Sequence, residues 1–195
     1  MTIQPVTLEG AHIRLEPMSS DHLDGLCDVG LDQDLWRFTA TLIRSRDDMR
    51  RYIETALNEQ EQKKSLPFVT VLKAGNKVIG STRFGSIDVP NRRVEIGWMW
   101  IGRDWQRTTV NTEAKHLMLR YAFETWQVNR VELKTDRLNE RSRNAMLRIG
   151  AKEEGILRSH MVVPSGRLRD TVYYSIIAGE WPDVKKKLET MLGRK

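Results

Sequence analysis

Glu95 stands inside VEIGWMWIG (94–102), a run that is otherwise apolar. A carboxylate that points inward from such a strand is uncommon. Removal from water raises a carboxyl pKa and suits the group to proton abstraction near neutrality. The competing reading is an ion pair with an arginine such as Arg83 on the neighbouring strand. A period of two puts Val94, Ile96, Trp98 and Trp100 on one face of the run. Glu95, Gly97, Met99 and Ile101 fall on the other, where Gly97 leaves room beside the carboxylate. His160, in LRSHMVV, is a second group able to move protons at neutral pH, although a lone strand histidine is more often structural. His12, His22 and His116 are far apart in sequence and form no metal-ligand spacing, so no metal is expected.

Two strand-to-helix junctions have the chemistry of anion sites. QRTTVNTEAK (106–115) opens a helix directly after the apolar run. A helix N-terminus exposes free N–H groups and the positive end of the dipole. The stretch is neither a Walker loop nor a dinucleotide fingerprint. Gln106, Arg107, Thr108, Thr109 and Asn111 nevertheless form a polar set, to which Arg107 adds a charge-assisted donor. In DRLNERSRNAMLRIG (136–150), Asn139 occupies a helix N-cap position with Ser142 one turn on. Both would face the carboxyl end of the preceding strand, where α/β sheets commonly bind ligands. Arg141 and Arg143 flank Ser142.

The elements that must position these residues follow from period and turn chemistry. HIRLEPM (12–18) reads as a strand, and Ser19 or Ser20 caps a helix carrying Leu23, Leu26 and Val29. A second helix starts near Ser45 with Met49, Tyr52, Ile53, Ala56 and Leu57 on one stripe. LPFVTVLK and KVIGSTRFGSIDV form a hairpin around AGNK, and PNRR turns the chain into the strand of Glu95. Ala114, Leu117, Met118, Tyr121, Ala122 and Trp126 mark an amphipathic helix. VNRVELKTD is a strand, NERSRNAMLRIG a helix closed by Gly150, and the chain finishes with a hairpin joined by PSGR. KKKLETMLGRK reads as the end of an amphipathic helix.

The 195 residues suffice for one domain, 1–195, with a sizeable core. The net charge of +6 fits an anionic cofactor or an acidic partner. No aromatic-basic interleaving supports a nucleic-acid module. Cys27 is the only cysteine, so an intrachain disulfide and a thiolate metal cluster are both excluded. With no signal-peptide pattern and no membrane-length apolar run, a cytoplasmic protein without membrane contact is expected.

HIRLEPMSSDHLDGL, KVIGSTRFGSID, VEIGWMWIGRDWQRTTVNTEAKHLMLRYAFE and the segment from VNRVELKTD to IIAGEW together resemble the GNAT superfamily of acetyl-CoA-dependent N-acetyltransferases. More narrowly they are similar to the RimJ/RimL branch of ribosomal-protein N-terminal acetyltransferases. The resemblance implies a mixed α/β (α+β) domain with helices flanking a twisted sheet. Its fourth and fifth strands splay apart to admit acetyl-CoA. The family's pyrophosphate loop, Q/R-x-x-G-x-G/A, here reads Gln106-Arg107-Thr108-Thr109-Val110-Asn111, with Thr109 and Asn111 at the small positions. Neither is proline, so the N–H groups remain, and α-region dihedrals suit both.

By the same resemblance Met99, Trp100 and Ile101, residues Gln106 to Asn111, Thr112, Asn139 and Arg143 would meet the cofactor. A backbone N–H near Met99 to Ile101 would polarise the thioester. Glu95 would face the acceptor, Ser142 would protonate the leaving thiolate, and His160 would take the place of a glutamate acting through water. Cys27, in the first helix, is a poor nucleophile for an acetyl-enzyme. The expected activity is direct transfer of acetyl to a primary amine, foremost an N-terminal α-amine of a peptide or protein. An amino acid, aminoacyl nucleotide, polyamine or antibiotic would use the same chemistry, and a non-catalytic acyl-CoA-binding domain is the alternative of another class. Aromatics near strand edges and the last hairpin favour a homodimer.

Overall fold

The computed structural model describes residues 1–193, so the last two residues of the basic C-terminal run lie outside the described residues. Strand β1 (Leu8–Glu9), unexpected from the sequence, precedes β2 (Ile13–Pro17), in which Ile13 and Leu15 are wholly buried. A single tight turn at residues 20–22 then leads into α1 (Leu23–Gly30). Helix α2 (Arg46–Glu61) begins at Ser45, as the sequence indicates. Ser45 Oγ accepts from the Asp48 N–H at 3.2 Å, and the Asp48 carboxylate accepts from the Ser45 N–H at 3.0 Å, so two orphan donors are satisfied reciprocally. Its Met49, Tyr52, Ile53 and Ala56 are buried.

Strands β3 (Leu66–Leu72), β4 (Lys77–Asp88) and β5 (Arg93–Ile101) form an antiparallel meander. Helix α3 (Val110–Arg120) crosses to β6 (Arg130–Asp136), followed by α4 (Glu140–Arg148), β7 (Lys152–Val162), β8 (Leu168–Ile177) and α5 (Trp181–Met191). Gly150, at φ 102°, ends α4 in the left-handed region. The strands make one sheet in the order β1-β2-β3-β4-β5-β6-β8-β7. Helices α3, α4 and α5 cover one face through Leu117, Met118, Met146, Ile149 and Leu188, with Val94, Ile96, Leu133, Val172 and Tyr174 from the strands. Helices α1 and α2 cover part of the other face through Leu26, Met49 and Ile53 with Val69, Val71 and Trp100. Among the described residues no helix is long and apolar enough to cross a membrane.

Strands β5 and β6 form the parallel pair, and they match only at Arg93↔Arg130, Val94↔Val131 and Glu95↔Glu132. Beyond Glu95 the upper part of β5 stays with β4, while the end of β6 stays with β8. The sheet therefore forks, as expected for the fourth and fifth strands counted without β1.

The fork has a local cause on β5. The β4–β5 register slips between Arg83↔Gly97 and Ser81↔Trp100, and Trp98 takes φ 48°. This bulge breaks the period of two assumed for 94–101. Val94 and Ile96 join the α3-side core as read from the alternation. Trp100 instead joins the α1–α2 side, and Ile101 the α3 side. Trp98 belongs to neither core and is 37 % exposed.

Gly80 lies against the upper part of β5, where a Cβ would stand 2.2 Å from the Trp100 carbonyl oxygen. Backbone cannot yield there as a side-chain tip would. Gly80→Ala should cost about 2–4 kcal/mol of unfolding free energy in urea titration. A cost below about 0.5 kcal/mol would show that the two strands slide past each other freely at this point.

Candidate active site

Glu95 marks the crotch of the fork. Its side chain is buried, and Oε2 accepts from Lys134 Nζ at 2.8 Å and Ser86 Oγ at 3.1 Å. The room beside Gly97 is taken by the carboxylate itself, since a Cβ there would meet Glu95 Oε1 at 2.7 Å. Arg83 is not its partner. Lying opposite Gly97, it reaches toward α2, where its guanidinium bonds Glu59 at 3.0 Å between the rings of Tyr52 and Trp98, 5.0 and 4.9 Å away. Lys134, one strand over, stands 6.0 Å from the Trp98 ring and 5.8 Å from that of Tyr173.

A groove of about 900 Å³ runs through the fork, within the range of cofactor and ligand sites. On the α3 face it is lined by Gln106, Arg107, Thr108, Asn111, Asn139 and Ser142. On the other it is lined by the 35–41 segment, Tyr52, Glu95 and Trp98. Met99, Trp100 and Ile101 form its β5 wall.

The loop before α3 is tied by its side chains. Gln106 Nε2 donates to the Ile101 carbonyl at 2.9 Å, and Gln106 Oε1 accepts from Arg141. Thr108 Oγ1 donates to Trp105 O at 2.7 Å and accepts from the Val110 N–H at 3.3 Å. Thr109 sits at φ −71°, ψ −15°, so a branched residue is unstrained where the related motif has a small one. The left-handed position is Arg107, at φ 63°, which costs on the order of 1 kcal/mol for a residue with a Cβ. Val110 packs into the core, and Thr112 is buried and accepts from Arg148 at 2.9 Å. These two have only backbone to offer a ligand.

Asn139 is the N-cap of α4: its Oδ1 accepts from the Ser142 N–H at 3.1 Å, and both side chains border the groove. Arg143 does not. Its guanidinium donates to Tyr174 Oη at 3.1 Å and pairs with Glu153 at 3.6 Å, which fastens α4 to the β7–β8 arm. His160 also lies outside the groove lining, exposed on β7, with Nδ1 3.0 Å from Thr171 Oγ1 and its ring against Tyr173. Lys134 Nζ lies 5.8 Å from the same Tyr173 ring. Glu113 and His116, one turn apart on α3, serve different ends. The Glu113 carboxylate accepts from the N–H groups of Ala11 and His12, while His116 faces Trp181 and Glu189. Among the described residues no cluster of His, Cys, Asp or Glu could hold a metal ion.

Two buried cations in the groove were not singled out from the sequence. Lys115 follows Asn111 by one turn of α3, is 7 % exposed, and is pushed by burial down to about 7, with Glu95 opposing the shift. Positions 111, 115, 118 and 122 share one helix line with Met118 and Ala122, both wholly buried. That line was the available signal. Arg169, on β8, is 6 % exposed, and its Nε has no hydrogen-bond partner. Burial pushes it below the usual arginine value, with Asp136 opposing.

Residues 12–152 match the family model described as an acetyltransferase (GNAT) domain. A Bacillus subtilis protein, YdaF, provisionally named a ribosomal N-acetyltransferase, is 37 % identical over 106 residues. The match covers 54 % of this chain and 57 % of that protein, so this chain aligns with little more than half the length of that relative. The uncharacterized N-acetyltransferase p20 of Bacillus licheniformis is 26 % identical over 180 residues, covering 90 % of this chain and 98 % of that one. The crystal structure of a GCN5-related N-acetyltransferase from Brucella melitensis superposes with a TM-score of 0.89 at 31 % identity, covering 97 % of this chain and 86 % of that chain. The forked sheet, the helix N-terminus at its open end and these matches agree, and the chain belongs to the GNAT family of acetyl-CoA-dependent acetyltransferases.

Proposed function

We propose that this acetyltransferase modifies an N-terminal α-amine of a peptide or protein, in the manner of the RimJ/RimL branch that its sequence resembles. The observation that carries the reading is the fork itself: Glu95 sits at its crotch, and the groove opens on the α1–α2 side along the 35–41 segment. An extended chain end can enter there while the opposite face serves the cofactor. The provisional ribosomal name of YdaF supports the same acceptor class.

Acetyl-CoA supplies an acetyl group already activated as a thioester. The residues present fit it. The N-terminus of α3, with Arg107 beside it, suits the pyrophosphate. Asn139, Ser142 and the unpaired edge of β5 from Met99 to Ile101 line the path into the fork. Glu95 holds the acceptor amine and takes its proton, with Oε2 fixed by Lys134 and Ser86. Ser142 offers a hydroxyl proton to the departing sulfur. His160 has no part in this scheme as placed.

Mass-spectrometric assay with acetyl-CoA should show acetylation of short peptides with free N-termini in preference to polyamines, aminoacyl nucleotides and aminoglycosides. A clear preference for any of those small amines would overturn the acceptor assignment. Glu95→Gln should lower kcat about 100-fold and leave the KM for acetyl-CoA within about twofold, whereas His160→Ala stays near wild type. Thr109→Gly should leave acetyl-CoA affinity unchanged, because residue 109 already has α-region dihedrals. Arg107→Gly should weaken it about five- to tenfold through loss of the charged donor.

Lys115 gives a pH signature. The folded chain sheds this proton near 7, while the unfolded chain keeps it to about 10.4. The unfolded state therefore binds more protons across that window, and stability rises with pH there. Between pH 6.5 and 9 wild type should gain about 2 kcal/mol relative to Lys115→Met in urea titrations. Parallel curves would show that the ammonium is solvated.

A further inference from the structure

We infer that Arg169 is a recognition residue for a carboxylate carried by the acceptor close to its amine. The inference rests on the reading of this groove as the acceptor site, and it names the class of acceptor.

The alternation of β8 sends Val172, Tyr174 and Ile176 into the α3-side core, so Arg169, Thr171 and Tyr173 face the other side, toward which β5 presents Glu95. Arg169 pairs across with Met161 of β7, and both border the groove. It lies past the end of β6, whose last match with β8 is Asp136↔Thr171.

The carboxylates that face it are already engaged. Asp136 accepts from Arg167 and from the Leu138 N–H at 3.0 Å. Glu95 accepts from Lys134 and Ser86. Among the described residues Arg169 makes no ion pair of its own, and its buried Nε is unpartnered. Lys134, Arg167 and Arg169 thus face Glu95 and Asp136, one positive charge in excess.

A guanidinium is protonated at any physiological pH. Burying one without a partner is costly enough that apolar replacement usually stabilises. Here the planar donor edge borders a groove made for an amine-bearing molecule. A carboxylate on that molecule supplies both the missing charge and the missing acceptor. The source is either an aspartate or glutamate side chain at the start of a peptide or the α-carboxylate of a free amino acid.

Calorimetric titration of the protein with CoA separates these sources without requiring turnover. C-terminally amidated peptides beginning with Asp or Glu are compared with their Asn or Gln counterparts, and free amino acids with their amides. The expected result is at least about tenfold tighter binding of the carboxylate member of one of these pairs, which also identifies the source. Arg169→Gln should compress that ratio to within twofold while leaving the amide member's affinity and the melting temperature no lower. Arg169→Lys should restore part of the ratio. Equal binding of carboxylate and amide members by wild type, or a ratio that survives Arg169→Gln, would overturn the assignment. Carboxylate-selective binding with no acetylation of any peptide would leave Arg169's role standing and remove the peptide-acceptor reading instead.

Discussion

The molecule is organised around an interrupted pairing. β5 and β6 run parallel for three matched residues, 93–95 with 130–132, and then separate. Every backbone N–H and C=O near a core has to be satisfied, and an exposed sheet edge normally invites another strand. The fork answers the second demand by holding its two open edges apart, with side chains of α3 and α4 bordering the gap. Its geometry is held from outside. β4 keeps the upper part of β5 in register through the Trp98 bulge, and β8 keeps the end of β6.

Charge follows from that geometry. The crotch of the fork is dry enough to depress Lys115 and Arg169 together, yet it is connected to solvent along the groove. Each carboxylate there has a designated cation, Glu95 with Lys134 and Asp136 with Arg167. Electrostatics of this kind are strongest where water is excluded. Lys134 and Ser86 hold Glu95 in place, and Arg167 holds Asp136.

Much of this was legible in the sequence. The order of elements, the Ser45 cap and the Asn139 cap followed from local chemistry, and the family resemblance placed the fork between the right strands. The phase of β5 did not follow, because one residue at positive φ reverses the facing of those after it, and no composition signal marks Trp98 as that residue. Arg83 looked like the partner of Glu95 because neighbouring strands were assumed to pair in plain register. Instead α2 supplies Glu59, a partner from a non-adjacent element. The neighbours of Arg143 and His160 were hidden too: Tyr174 and Glu153 reach Arg143 through the purely tertiary approach of α4 to the final hairpin, and a register shift between Leu157 and Met161 sets where His160 meets Thr171 and Tyr173. Lys115 and Arg169 were overlooked because a charged residue in a helix or strand reads as solvated until the opposing surface is known.

Strand β7 buries almost none of its side chains along its length, whereas β8 beside it carries core residues at Val172, Tyr174 and Ile176. Substitutions on β7 therefore have little effect on folding. The two strands form the wall of the groove at Met161 and Arg169. One of them is free to drift in sequence and the other is bound to the core. Divergence among descendants of such a chain can then proceed by rewriting the outer strand, which alters the shape of the groove wall, while the inner strand and the core it anchors are inherited intact.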